Sequence, residues 1–180
     1  MKFIILEIYF QITKQTKQQK MDVTTALTFI LPVETHEKIN TIRSKYDRAY
    51  PRWVPHINFV FPFVSVENFK DLGKTLSDEL EKFGSFDIEL NEVGFFKQSN
   101  GYTYHLKPKD ETKLRALWKK MYTALTDSKI ELKINYDRFT PHVTLGQSKK
   151  NEFETRLAEL KEYFKDPIMV PIKKISLISS

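Results

Sequence analysis

Pro141-His142-Val143-Thr144-Leu145-Gly146 has a counterpart upstream in Pro55-His56-Ile57-Asn58-Phe59-Val60. Each stretch reads Pro-His, an aliphatic residue, a small polar residue and an apolar residue. Side chains alternate along an extended strand, so His56 shares a face with Asn58, and His142 with Thr144. Ile57 and Phe59, or Val143 and Leu145, turn to the opposite face. Each stretch therefore presents an imidazole beside a hydrogen-bonding group, and two such strands across a cleft would hold an acid–base pair.

The segments after the two stretches match in order. Pro55-His56 leads through a strand to a helix with the apolar stripe Phe69, Leu72, Leu76, Leu80 and Phe83, then to a strand built on Phe86, Ile88 and Leu90. Pro141-His142 leads through a strand to a helix carrying Phe153, Leu157, Leu160 and Phe164, then to a strand built on Ile168, Val170 and Ile172, which is read as running on to Ile178. This internal repeat predicts an α+β fold of two pseudo-symmetric lobes, each an antiparallel sheet with outer helices, around a central cleft. A buried strand is expected from Val23 to Leu31 and a helix from Glu34 to Tyr46. Gly84 is expected to stop the second helix. Ser99-Asn100-Gly101 reads as a hairpin turn, and Asp110 as the cap of a helix with the stripe Leu114, Leu117, Trp118, Met121 and Leu125. A short strand is expected over Ile130 to Ile134.

The 180 residues suffice for one domain with a sizeable core. Residues 1–20 read as an extension, loosely ordered or adding a strand or short helix, and residues 21–180 as a single bilobal domain. Met21 stands just before the first strong pattern. Net charge is +6, of which +3 falls in residues 1–20, so a broad nucleic-acid-binding face is weakly supported. Cysteine is absent, which excludes disulfides and thiolate metal sites. No apolar run approaches the roughly 20 residues that span a bilayer. An intracellular protein, cytoplasmic or nuclear and monomeric, with no membrane partner, is the expectation.

At these motifs the chain resembles the two-histidine phosphoesterase superfamily, whose mark is a pair of His-x-Thr/Ser motifs, one per lobe. The text from Tyr50 to Phe63, and Phe139-Thr140-Pro141-His142-Val143-Thr144-Leu145-Gly146, is similar to the 2′-5′ RNA ligase and RNA 2′,3′-cyclic phosphodiesterase-like branch. The resemblance covers roughly Val23 to Ile178. Asn58 stands where Thr or Ser is usual, and its amide still offers an N–H to a phosphoryl oxygen. The resemblance implies an enzyme: a phosphodiesterase acting without metal or cofactor on a nucleotide or short RNA, either a 2′,3′-cyclic phosphate or a 2′-5′ linkage.

Histidine suits this chemistry because its reference pKa lies near neutrality. One imidazole removes a proton from the attacking oxygen and the other gives one to the leaving oxygen. His56 and His142 are the expected catalytic residues. Asn58 and Thr144 can supply donors to the non-bridging oxygens. Phe63 and Phe139 flank the motifs and either stack on a base or fill the core. Arg52 precedes the first motif and Arg138 the second, and each either faces phosphate or is simply exposed. Trp53 reads as a loop-packing residue and Trp118 as core. His36 and His105 read as structural, although His105 alternates with Thr103 and can approach the cleft. Two other classes of function are compatible with the same text: a nucleotide- or RNA-binding module with little turnover, and a non-catalytic interaction domain.

Overall fold

The computed structural model describes residues 5–8, 21–128, 130 and 136–179. Its elements in chain order are β1 (Ile5–Ile8), β2 (Met21–Asp22), β3 (Thr25–Ile30), α1 (Val33–Tyr46), β4 (His56–Val60), β5 (Phe63–Val64) and α2 (Phe69–Phe83). There follow β6 (Phe86–Gln98), β7 (Gly101–Pro108), α3 (Thr112–Asp127), β8 (Val143–Ser148), α4 (Phe153–Tyr163), β9 (Ile168–Ile172) and β10 (Lys174–Ser179). Local chemistry sets several of these boundaries. Gly84 ends α2 at φ 80, a backbone state that glycine adopts without a Cβ clash. Asp110 Oδ1 accepts the Thr112 amide at 2.9 Å at the start of α3. Ser99 and Asn100 form the two-residue turn between β6 and β7, with Gln98 opposite Gly101.

Among the described residues two four-stranded sheets carry the fold, in the orders β1-β10-β3-β4 and β8-β7-β6-β9. All their pairings are antiparallel except β1 on β10. The expected α+β class with two lobes is the observed one. Each histidine stretch lies on an edge strand, β4 or β8, beside a strand buried among its neighbours. Helix α1 packs over β8, and α4 over β6 and β7. On the other lobe α2 packs against α3 and β1, and Trp118 of α3 lies on Phe59 of β4. One apolar core runs through both lobes, with Leu27, Ile57, Phe59, Tyr104, Leu145 and Trp118 essentially sequestered from water.

The repeat is real, but its last strand falls elsewhere than expected. Phe86, Ile88 and Leu90 are not the twofold mates of Ile172, Val170 and Ile168; they pair with them directly, in one sheet. The chain breaks at Lys173, so the expected closing strand becomes β9 in one sheet and β10 in the other. The units that match are β3-α1-β4-α2-β6 and β7-α3-β8-α4-β10. Each begins in one sheet and delivers its last strand to the other, which ties the lobes together. Of the extension expected over residues 1–20, the described part is β1. The rest of it, and the strand expected beyond Ile130, lie outside the described residues.

Candidate active site

Matching bulges build the two halves of the cleft. On β3 and β4, Ile30 faces His56 and Thr28 faces Asn58, but Leu27 then faces Val60, leaving Phe59 as an extra residue. On β7 and β8, His105 faces Thr144, but Tyr104 then faces Gly146, leaving Leu145 extra. An extra residue reverses the alternation of faces beyond it. The cleft face of β4 therefore continues from His56 and Asn58 to Phe61 rather than Val60. That of β8 continues from Thr144 to Gln147 rather than Gly146. Phe61, Gln147, Asn58 and Thr144 line one cavity of about 340 Å³ with Ala26 and Thr103 of the neighbouring strands. This volume is in the range of small-ligand sites.

The histidines are held alike. His56 Nδ1 lies 2.7 Å from the Val54 carbonyl oxygen, and His142 Nδ1 lies 2.7 Å from that of Thr140. A carbonyl oxygen only accepts, so each Nδ1 carries the proton and donates it. That leaves Nε2 of both rings as the nitrogen able to exchange a proton. His56 lines the cavity directly. His142 sits just before β8, and by alternation it shares the Thr144 face. Burial is the main cause that holds both imidazoles below their ordinary pKa of 6.5, opposed by the bond to the carbonyl. His56 is lowered further by the Arg43 guanidinium and by the charge of His142 across the cleft, against the pull of Asp47. Both rings are thus mainly neutral at pH 7, and a proton on His142 disfavours one on His56.

A buried ion pair forms the wall at the end of α1. Arg43 Nε donates to Asp47 Oδ2 at 2.8 Å, with both side chains almost wholly buried. Asp47 Oδ1 accepts the Ala49 amide at 3.0 Å and Gln147 Nε2 at 3.3 Å, and Gln147 Oε1 accepts the Arg48 amide at 3.1 Å. Beside it the Trp53 ring stands 5.9 Å from that of His56. Asn58 Oδ1 is buried with no hydrogen-bond partner among the described residues.

The structure sorts the expected residues. His56, Asn58, Thr144 and Arg52 come to one cavity, Arg52 at its exposed edge. Phe63 and Phe139 do not. They are 0% and 3% exposed, Phe63 against Phe69 and Phe139 between Phe59 and Trp118. Base stacking by either is therefore corrected to a core role. Arg138 is exposed in the short turn Tyr136–Arg138, and His36 Nε2 bonds the Leu31 carbonyl oxygen at the start of α1. Trp118 is core as expected. Trp53 faces the cavity rather than only packing its loop. Phe61, Gln147, Arg43 and Asp47 were not singled out from the sequence. The bulges hide the first two from a period-2 reading. The i,i+4 spacing of Arg43 and Asp47 was a visible sign of an ion pair, but not of its burial.

A two-lobed α+β fold that sets one Pro-His strand from each repeat against a common cleft defines a class of protein by architecture and site together. The chain belongs to the 2′-5′ RNA ligase superfamily, whose family model matches residues 31–180. A Bacillus cereus strain B4264 protein, provisionally named a phosphoesterase, is 29% identical over 112 residues, which are 62% of this chain and 62% of that one. A similarly named protein of Staphylococcus haemolyticus is 27% identical over 120 residues, 66% of this chain and 68% of that one. The match thus spans less than two thirds of the length of the Bacillus cereus relative. Among solved structures, E. coli LigT complexed with 3′-AMP shares the fold at a TM-score of 0.51 and 18% identity, covering 71% of this chain and 74% of that one. A crystal structure of a phosphoesterase does so at 0.51 and 20%, covering 69% and 72%.

Proposed function

We propose that the protein is a phosphodiesterase that uses His56 and His142 as an acid–base pair on RNA-derived 2′,3′-cyclic phosphates or 2′-5′-linked oligonucleotides. The observation that carries this reading is the matched anchoring of the two imidazoles, each by Nδ1 to the carbonyl two residues earlier. Superfamily membership and the nucleotide in the LigT structure support it. For a cyclic phosphate, one neutral Nε2 takes a proton from water as its oxygen bonds to phosphorus. The bond to one ribose oxygen breaks, and the other histidine, protonated, gives that oxygen its proton. Exchange with solvent restores the pair. For a 2′-5′ linkage the neighbouring 3′-hydroxyl takes the place of water. Asn58 and Thr144, on the same faces as the histidines, supply donors to the non-bridging oxygens, and no step requires a metal. Arg52 meets the substrate at the cavity's edge.

The test is turnover in EDTA with 2′,3′-cyclic nucleotides, 2′-5′ oligoadenylate and its 3′-5′ isomer side by side, products being resolved by chromatography. Cleavage of the first or the second is expected, with the 3′-5′ isomer left intact. Cleavage of none, or only after metal is added, would contradict the mechanism.

A further inference from the structure

A third imidazole adjoins the pair. His105 on β7 is only 4% exposed, and its ring lies 5.3 Å from that of His142 at 63°. Phe96 of β6 stands 4.3 Å from His105 and 5.0 Å from His142, so the three rings meet pairwise. Gly94 on β6 makes the room: a Cβ there would stand 2.5 Å from His105 Nε2. The twofold places Thr28 at the same position in the other half, opposite Asn58 as His105 is opposite Thr144. Thr28 is a satisfied core residue whose hydroxyl donates to the Ile57 carbonyl at 2.8 Å. His105 Nδ1, by contrast, is buried with no hydrogen-bond partner among the described residues, a destabilising arrangement for a side chain that only fills space. The charged groups that bear on it are His142 just before β8 and Lys107 from its own strand, and Lys107 is paired to Glu92 of β6 at 3.1 Å. Burial first, then these two charges, hold its pKa down to about 4. It is an uncharged ring wherever the histidine pair would work.

We propose that His105 is a positioning residue: its ring, with that of Phe96, clamps the His142 imidazole so that Nε2 faces the cleft, and thereby makes the two catalytic histidines unequal. The inference rests on the histidine-pair reading above. His142 lies outside the regular ladder of β8 and, among the described residues, has a hydrogen bond on one side only, so ring contacts supply the remaining restraint. Displacement of a reacting group by about 1 Å can cost on the order of 10²-fold in rate.

Two variants reach His105 without touching His142. His105→Thr installs the residue of the other half, and Gly94→Ala puts a methyl where the His105 ring now lies. Each is expected to lower kcat by about tenfold or more while KM stays within about twofold. The readout independent of turnover is NMR titration of the imidazoles of the folded protein. In the wild type His105 should not titrate above pH 5, and His142 should titrate below 6.5 as the Nδ1–H tautomer. In both variants the His142 pKa should rise toward 6.5 as water reaches its ring. A His142 titration and a kcat unchanged in His105→Thr and in Gly94→Ala would overturn the proposal. If the wild type cleaves no phosphodiester, the functional reading fails, while the His142 titration still decides whether His105 acts on it.

Discussion

The two halves of the cleft agree in how each histidine is held and differ in almost everything around it. Both use an edge strand with one bulge, a histidine bonded through Nδ1 to the carbonyl two residues earlier, and a small polar residue two positions later. Beyond that they part. Phe61, 47% exposed, stands where the other half has Gln147, which is tied to Asp47 and Arg48. Thr28 stands where the other half has His105. His56 has Trp53 and a buried ion pair beside it, whereas His142 has two rings against its own. The comparison teaches that the two repeats keep the same anchored histidine and polar neighbour, while each half differs in what surrounds the imidazole.

Removing an imidazole breaks the comparison most severely. His56→Ala and His142→Ala should each lower kcat by about 10² to 10⁴-fold, the range for a positioned acid or base, with melting at neutral pH unchanged. The His56 half also leans on the Arg43–Asp47 pair. Asp47→Ala leaves a buried guanidinium unpaired and should cost roughly 3–5 kcal/mol in urea unfolding. Phe61 is the exposed aromatic of the cavity. If a base stacks on it, Phe61→Ala should raise KM by roughly 5- to 150-fold, about 1–3 kcal/mol, with little change in kcat, while Gln147→Ala should not. Making the motifs alike, by Asn58→Thr, should change kcat/KM by only about threefold, because a hydroxyl and an amide both donate.

The acid side carries a further distinction. His56, His105 and His142 all have folded-state pKa values below 6.5, so the unfolded chain binds more protons than the folded one as pH falls. Stability from these rings is full above about pH 6.5 and is lost as pH falls through their folded values, that of His105 near 4. The Tm should therefore drop between pH 6.5 and 4, and His105→Thr should flatten the lower part of that drop. For the same reason kcat/KM should peak on the acid side of pH 6.5.

Much of this architecture was legible in the sequence, because helix stripes and paired Pro-His motifs are local signals. The stripe from Leu114 to Leu125, the hairpin at Ser99-Asn100 and the shared faces of His56 with Asn58 and of His142 with Thr144 all depend on residues a few positions apart. What was not legible depends on register between distant strands. Alternation places Val60 and Gly146 on the cleft face, and only a bulge against β3 or β7 brings Phe61 and Gln147 there instead. Phe63 and Phe139 adjoin the motifs in sequence, yet packing on Phe69, Phe59 and Trp118 takes them inward. The run from Ile168 to Ile178 carries no glycine to mark its break at Lys173, where the chain changes sheets.

The most direct measurement is turnover in EDTA of a 2′,3′-cyclic nucleotide and of 2′-5′ oligoadenylate by the wild type, His56→Ala and His142→Ala at equal, folded concentration. The account predicts that the wild type cleaves at least one of them and that both variants fall to near the background rate. Wild-type turnover retained by either variant would contradict it.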